Sequence, residues 1–303
     1  MQKLGKTGLE VSRIALGCMR MASLEASAAQ AVVKTALENG ITFFDHADIY
    51  GSGESERRFA AAMKGLGVSR ENLILQSKCG IRKGYFDFSK EHILASVDGI
   101  LSRLETDYLD VLALHRPDAL MEPEEVAEAF LALKKEGKVR YFGVSNQNAY
   151  QIELLQSYLA EPLVVNQLQL SPAHTPLIDA GLHVNMKEEA AIVRDGSVLD
   201  YCSLKNITIQ AWSPFLIDLQ KGIFVDHPDY VLLNQTIERL ASQYHVSREA
   251  IIVAWIMRHP AKVQTIVGSM SPERLAKIAE AEKVHLTRPE WYEIYTSAGN
   301  SLP

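Results

Sequence analysis

Three polar residues in this sequence follow short apolar runs at places where chemistry can be done, and a tyrosine lies close to the first. Asp45 follows Phe43-Phe44, with Tyr50 shortly after it; Lys78 follows Leu75-Gln76-Ser77; His115 follows Leu112-Ala113-Leu114. A buried run leading straight into Asp, Lys or His is costly unless those groups pair with one another or with a ligand. A tyrosine hydroxyl has an ordinary pKa of about 10, too high for easy proton release at neutral pH. An ammonium beside it favours the phenolate, and a carboxylate beside the ammonium keeps that group charged and oriented. A histidine can donate a hydrogen bond to a carbonyl oxygen and tune the transfer. Such a set suits proton delivery to an oxygen while hydride reaches the attached carbon. No side chain supplies hydride, so that chemistry requires a reduced nicotinamide.

These residues need a scaffold that brings strand ends together, and the hydrophobic pattern provides one. Apolar runs recur at residues 14–17, 41–44, 73–77, 109–114, 139–144, 163–168, 207–212 and 263–267. Stretches with helical period lie between them, at 24–38, 54–64, 89–104, 124–136, 149–159 and 233–245. Near-continuous apolar strands alternating with amphipathic helices indicate a parallel sheet covered on both faces. Eight such units predict a closed α/β barrel, the (β/α)8 TIM barrel, with the active site at the C-terminal ends of the strands. An open doubly wound sheet is the competing architecture, and no GxGxxG follows a strand to support it. The opening residues 3–11 alternate around Gly5 and Gly8 and predict an N-terminal β-hairpin.

In a barrel, polar residues at the other strand ends gain weight: Ser145-Asn146, Asn166-Gln167, Trp212-Ser213 and Gly268-Ser269. Residues 171–205 are the least regular stretch, with Pro172, Pro176, Gly181 and Gly196 and one acidic helix-like piece at 187–194. Long βα connections of this kind tend to carry function. Helices are expected again at 272–283 and 289–295, and no linker or charge block divides residues 1–303 into more than one domain.

Composition narrows the class. The chain of 303 residues is 47% apolar, which excludes disorder, and its formal net charge of −6 argues against nucleic-acid or anionic-membrane partners. Cys18, Cys79 and Cys202 show no ligand or disulfide spacing, so no metal site is expected and a reducing compartment fits. Neither a leader-like run nor a long apolar span occurs, and a cytoplasmic location is expected. The expected partner is a small carbonyl compound; the oligomeric state is not readable.

Ordered along the chain, these segments resemble the aldo/keto reductase superfamily over essentially their whole length. Asp45-His46-Ala47-Asp48-Ile49-Tyr50-Gly51 is similar to the family's Asp-x4-Tyr-Gly segment, Ser77-Lys78 to its lysine strand and Leu114-His115 to its histidine strand. Gly143-Val144-Ser145-Asn146, Asn166-Gln167, Trp212-Ser213-Pro214-Phe215 and Ile266-Val267-Gly268-Ser269 with Arg274 are similar to its cofactor-binding segments. The resemblance implies a catalytic tetrad of Asp45, Tyr50, Lys78 and His115, with Tyr50 as general acid in carbonyl reduction. It implies non-covalent NADP(H), with NAD as the alternative, held by Gly17, Met19, Asp45, Ser145, Asn146, Gln167, Trp212, Ser213, Phe215, Gly268, Ser269, Arg274 and Lys277. A separate reading agrees at the phosphate end, since barrels often bind phosphate after strands seven and eight at a helix N-terminus. Ser271 is a good N-cap there and Pro272 suits the first helical position.

The sequence departs from the family pattern at three places. Gly268 stands where many members have lysine, Lys277-Ile278 where they often have Glu-Asn, and His46 where a small hydroxyl residue is common. His46 is expected to influence the pocket. Tyr85, Phe86 and Phe88 are expected either to wall the substrate site or to pack locally, and Cys18 and Cys79 to lie near the mouth, open to oxidation. Asp226-His227-Pro228-Asp229 reads as a turn, Trp255 and Trp291 as packing anchors. Two competitors are a cofactor-binding regulatory subunit on the same fold and a Schiff-base aldolase using Lys78.

Overall fold

The computed structural model describes residues 1–183, 197–218 and 220–300. Eight parallel strands form a closed barrel: β1 (Ile14–Gly17), β2 (Phe43–Asp45), β3 (Ile74–Cys79), β4 (Leu109–Leu114), β5 (Val139–Ser145), β6 (Leu163–Gln169), β7 (Thr208–Trp212) and β8 (Gln264–Val267). Each strand pairs with its sequence neighbours, and β8 closes on β1 through Thr265 opposite Ile14. Every residue of β1 to β4 is buried. That explains their unbroken apolar runs, because one face meets helices and the other the barrel interior. The open-sheet alternative is excluded by the closure.

Between and after the strands lie α1 (Ala26–Glu38), α2 (Glu54–Leu66), α3 (Lys90–Leu104), α4 (Pro123–Lys135), α5 (Ala149–Gln156), α6 (Pro176–Leu182) and α7 (Val198–Lys205). The series continues with α8 (Val231–Tyr244), α9 (Arg248–Met257), α10 (Pro272–Ala279) and α11 (Arg288–Ser297). Capping sets several boundaries. The Ser89 side chain accepts from His92 N at the start of α3, and Asn148 with Gln151 forms a capping box on α5. No amphipathic period marks α9, since every residue from Ala250 to Met257 is buried. It lies beneath α8, α10 and α11, where Trp255 and Trp291 stack at 4.9 Å and exchange indole N–H bonds to each other's carbonyl oxygens. The helix expected through residue 283 stops at Ala279 and continues as a 3-10 turn, Glu280–Lys283. Helices α6 and α7 fall in the stretch expected to be irregular, and the piece expected at 187–194 lies outside the described residues.

The hairpin pairs Gln2–Lys3 with Glu10–Val11 and seals the bottom of the barrel. Its Leu4 is fully buried in a cluster with Val11, Ala15, Phe43, Ile74, Val111 and Ile266. Gly5 permits this seat: its φ is +51°, and a Cβ there would lie 2.9 Å from the carbonyl oxygens of Asn206 and Val164. The bottom is apolar and closed. Function is left to the opposite rim.

Candidate active site

At that rim β2 ends in Asp45, and the chain enters a tight turn, Tyr50–Gly53, before α2. Gly51 and Gly53 have positive φ, and a side chain at either would collide, with Ala22 or with the Arg103 side chain. The turn is therefore pressed into one position, and Tyr50 with it. Lys78, two residues after Gln76 on β3, points into the barrel and donates from Nζ to both Asp45 oxygens, at 2.7 and 2.8 Å. The same ammonium lies 5.1 Å from the Tyr50 ring centroid. His115 meets Tyr50 edge-on, with ring centroids 5.8 Å apart. Residues spread over 71 positions of sequence, from Asp45 to His115, thus meet in one cluster.

Burial and charge compete at each group. Burial pushes Lys78 down, but the Asp45 carboxylate, with Tyr50 adding to it, outweighs this and holds the ammonium above its ordinary range. Burial pushes the Tyr50 hydroxyl up; Lys78 pulls it down, Asp45 pushes it up, and the net result is above the ordinary value. The expectation that Lys78 favours the phenolate therefore describes one contribution that burial overrides. Tyr50 is a protonated hydroxyl at neutral pH. His115 is lowered to about 2 by burial, then by Lys78 and Arg116, so it is a neutral imidazole, and its buried Nδ1 has no partner.

Asp45 is anchored from below by amides. Gln76 Nε2 donates to Asp45 Oδ1 at 2.8 Å and to Gln210 Oε1 at 2.7 Å, and Gln167 Nε2 bridges the same two oxygens at 3.1 and 3.3 Å. Gln210 Nε2 then donates to Gln264 Oε1, and Gln264 Nε2 to the Ser12 carbonyl. The Asp45 carboxyl, whose oxygens both accept from Lys78, stands at one end and a backbone carbonyl at the other, which fixes the direction of every amide between them. A layer of glutamines where barrels usually hold branched apolar chains is how this interior carries a buried carboxylate.

The residues implied for cofactor binding ring the same mouth. Ser145 Oγ donates to the Gln167 carbonyl, and Asn146, at φ +57°, donates from Nδ2 to Ser145 Oγ at 2.7 Å. Trp212 ends β7 with its indole nitrogen buried and unpartnered, and Ser213 turns the chain at φ +51°. Phe215 leads into a small hairpin, Leu216–Asp218 with Gly222–Ile223. On the neighbouring strands Gly17 is buried at the end of β1 and Met19 is exposed beyond it. Past β8, a Cβ on Gly268 would meet nothing within 4 Å. Ser269 Oγ accepts from Ser271 N, and Ser271 Oγ caps α10 through Arg274 N. Arg274 extends from that first turn, 3.9 Å from Glu249, while Lys277 holds Glu273 at 2.7 Å.

Other expectations are corrected. His46 is fully buried behind the mouth, edge-on to Phe59 of α2 at 4.7 Å, with both ring nitrogens unpartnered. Cys18 and Cys79 are fully buried, and burial raises both thiols, so the oxidation sensitivity expected of them near the mouth is not supported. Phe88 packs into the core against Gly80, while Tyr85 and Phe86 stand exposed on a two-stranded loop. Asp226 in its turn forks onto Arg248. Four site residues escaped the sequence reading: Gln76, Gln210, Gln264 and Arg116. The period-2 alternation that puts Gln76 on the same face as Lys78, and Gln210 on that of Trp212, marks the glutamines.

The state of His46 has a measurable consequence. Burial, then Lys78, lowers it to about 3 from an ordinary value of 6.5, so the unfolded chain binds this proton first as pH falls. Its contribution to stability is complete above about pH 6.5 and is lost on acidification towards pH 3. Between pH 7 and 5 it amounts to about 2 kcal/mol. Urea unfolding of His46→Leu should show a pH slope flatter than that of the unaltered protein by this amount; equal slopes would mean that His46 binds its proton in the fold as readily as in the unfolded chain.

The Aldo/keto reductase family profile matches residues 13–297. The chain is 38% identical to the uncharacterized oxidoreductase YcsN of Bacillus subtilis, over 97% of each chain. It is 32% identical to a 6-dehydroglucose reductase of Agrobacterium fabrum, over 96% of this chain and 95% of that one. Its fold is similar to that of a Bombyx mori aldo-keto reductase solved with NADP, with a TM-score of 0.76 and 22% identity over 97% and 92% of the two chains.

Proposed function

The chain belongs to the aldo/keto reductase family, and from that premise we propose that it reduces an aldehyde or ketone to the alcohol with NADPH, Tyr50 acting as general acid. The observation that carries this reading is the joint contact of Tyr50 with Lys78 and His115 above a buried Asp45. The residues present fit a nicotinamide dinucleotide. The second Asn146 amide hydrogen and the orphaned Trp212 indole N–H are donors, and the Gln167 amide oxygen and Ser145 Oγ acceptors, suited to a carboxamide and its ring. The open Gly268 backbone, Ser269 and the start of α10 with Arg274 suit phosphates. When bound, the reduced nicotinamide supplies the hydride that the carbonyl carbon receives.

The chain's own residues handle the proton. The carbonyl oxygen accepts hydrogen bonds from the Tyr50 hydroxyl and from neutral His115, which polarises the carbonyl without competing as an acid. As negative charge develops on that oxygen, Tyr50 gives up its proton, and the Lys78 ammonium beside it stabilises the phenolate formed. Asp45 keeps Lys78 charged, which also makes this lysine a poor nucleophile and argues against the Schiff-base reading. The balance is one hydride and one proton gained by the carbonyl, with Tyr50 reprotonated from solvent.

Loss of NADPH absorbance in the presence of a panel of aldehydes, ketones and quinones tests the proposal. Saturable turnover with at least one class is the expected result; cofactor binding without turnover of any of them would overturn it and favour the regulatory reading. Cofactor choice adds a second test. Arg274 can form a charge-assisted fork with the extra phosphate of NADPH, an interaction worth about 1.5–3 kcal/mol, or roughly ten- to more than a hundredfold in affinity. Arg274→Ala should raise KM for NADPH by about that factor and leave KM for NADH nearly as it was. Equal weakening of both would remove Arg274 from phosphate recognition.

A further inference from the structure

We propose that Arg116 selects carbonyl substrates carrying a carboxylate, by pairing with that group at the barrel mouth; the proposal rests on the reading of this site as a carbonyl reductase. β4 ends at Leu114, His115 stands at the rim, and the chain bends at Arg116 before Pro117. The proline restricts Arg116 to extended backbone, and the bend breaks strand alternation. The guanidinium carbon comes to 5.7 Å from the Trp212 ring centroid, so the side chain reaches from the end of β4 toward that of β7. It is the next residue after His115, whose ring feels its charge and meets Tyr50 edge-on.

What distinguishes Arg116 is its charge balance. Arg70 holds Asp110 at 2.7 Å, Arg103 holds Glu56 at 2.6 Å and Arg248 holds Asp226 at 2.7 Å. Arg116 is half-buried as well, yet it pairs with no carboxylate among the described residues. The nearest acid in sequence is already committed: Asp118 Oδ1 accepts from Leu120 N and Oδ2 from Phe88 N. Lys78, the other cation of the pocket, is neutralised by Asp45. The charge of Arg116 reaches His115 and helps keep that ring neutral. A guanidinium never deprotonates in water and presents a planar fork that matches a carboxylate. In a chain of net charge −6, an uncompensated fork of this kind beside the reacting centre favours an anionic substrate over a neutral one of the same shape.

The test compares 4-formylbenzoate with its neutral methyl ester, using the full chain and NADPH. The unaltered protein should favour the anion by about tenfold to a hundredfold in kcat/KM, mainly through KM. Arg116→Gln should abolish that preference, with most of the loss on the anion and KM for NADPH little moved. Arg116→Lys, which keeps the charge without the fork, should retain part of it. Binding of 4-formylbenzoate followed by tryptophan fluorescence gives a readout independent of turnover, and Arg116→Gln should weaken it by a similar factor. No preference in the unaltered protein, equal losses on both aldehydes, or a rise confined to KM for NADPH would each overturn the proposal. Tight, Arg116-dependent binding of the anion without turnover of either aldehyde would uphold the anion site and overturn the reductase reading instead.

Discussion

Tyr50→Phe is expected to bind NADPH as the unaltered protein does and to lose carbonyl reduction by a factor of about 10² to 10⁴. The ring remains to pack against His115 and to lie beside Lys78, so the turn and the mouth keep their shape. Only the proton donor is gone. Hydride addition then generates an alkoxide whose remaining support is the neutral His115, a weaker contribution than proton transfer in the same step. Titration of NADPH fluorescence checks binding, and single-turnover absorbance checks chemistry. Near-normal turnover in a folded variant would remove Tyr50 from the mechanism.

Lys78→Met should be nearly as damaging, and for two separable reasons. Without the ammonium, the phenolate loses the one contribution that lowers its energy, so the pH midpoint for alcohol oxidation should move up and turnover should fall by about a hundredfold or more. The second effect is on the fold. Removing one partner of a buried ion pair typically costs about 3–5 kcal/mol, because the other charge is left behind. Gln76 and Gln167 still donate to Asp45 Oδ1, so the loss should lie at or below the lower end of that range. The pH dependence carries a sign. The folded pKa of Lys78 is raised, so its stabilisation is complete below the unfolded value of about 10.4 and is lost as pH rises through the folded one. At neutral pH the unaltered protein has all of it and the variant none. Asp45→Asn should reduce turnover less, since it acts through Lys78. An unchanged pH–rate profile in Lys78→Met would refute the pairing.

The polar strand ends Asp45, Lys78 and His115 were legible because period and burial cost can be read one strand at a time. Asp45, Lys78 and His115 each follow an apolar run that demands burial, and such residues need partners. The eight-fold alternation of runs and amphipathic helices specified the barrel, and the barrel rule specified the rim. Even the cap of α10 was readable, because Ser271-Pro272 is a local signal. Local sequence failed where burial is complete or period absent: α9 has no polar face to mark it, and α6 and α7 sit in a stretch punctuated by proline and glycine.

Charge balance was a different matter. Whether burial or Lys78 dominates at Tyr50 depends on distances that no single strand encodes, and burial won. That His46 turns its ring to Phe59, and that Cys18 and Cys79 are sealed, follows from which side of the barrel wall each faces. The closure brings Gln76, Gln167, Gln210 and Gln264 from four strands under one carboxylate, and among the described residues it leaves Arg116 without one. Sequence by itself determined which residue types stand at the rim, because alternation and burial are short-range. Only the tertiary structure decided their protonation and pairing, because electrostatic energy depends on partners that the barrel gathers from distant strands.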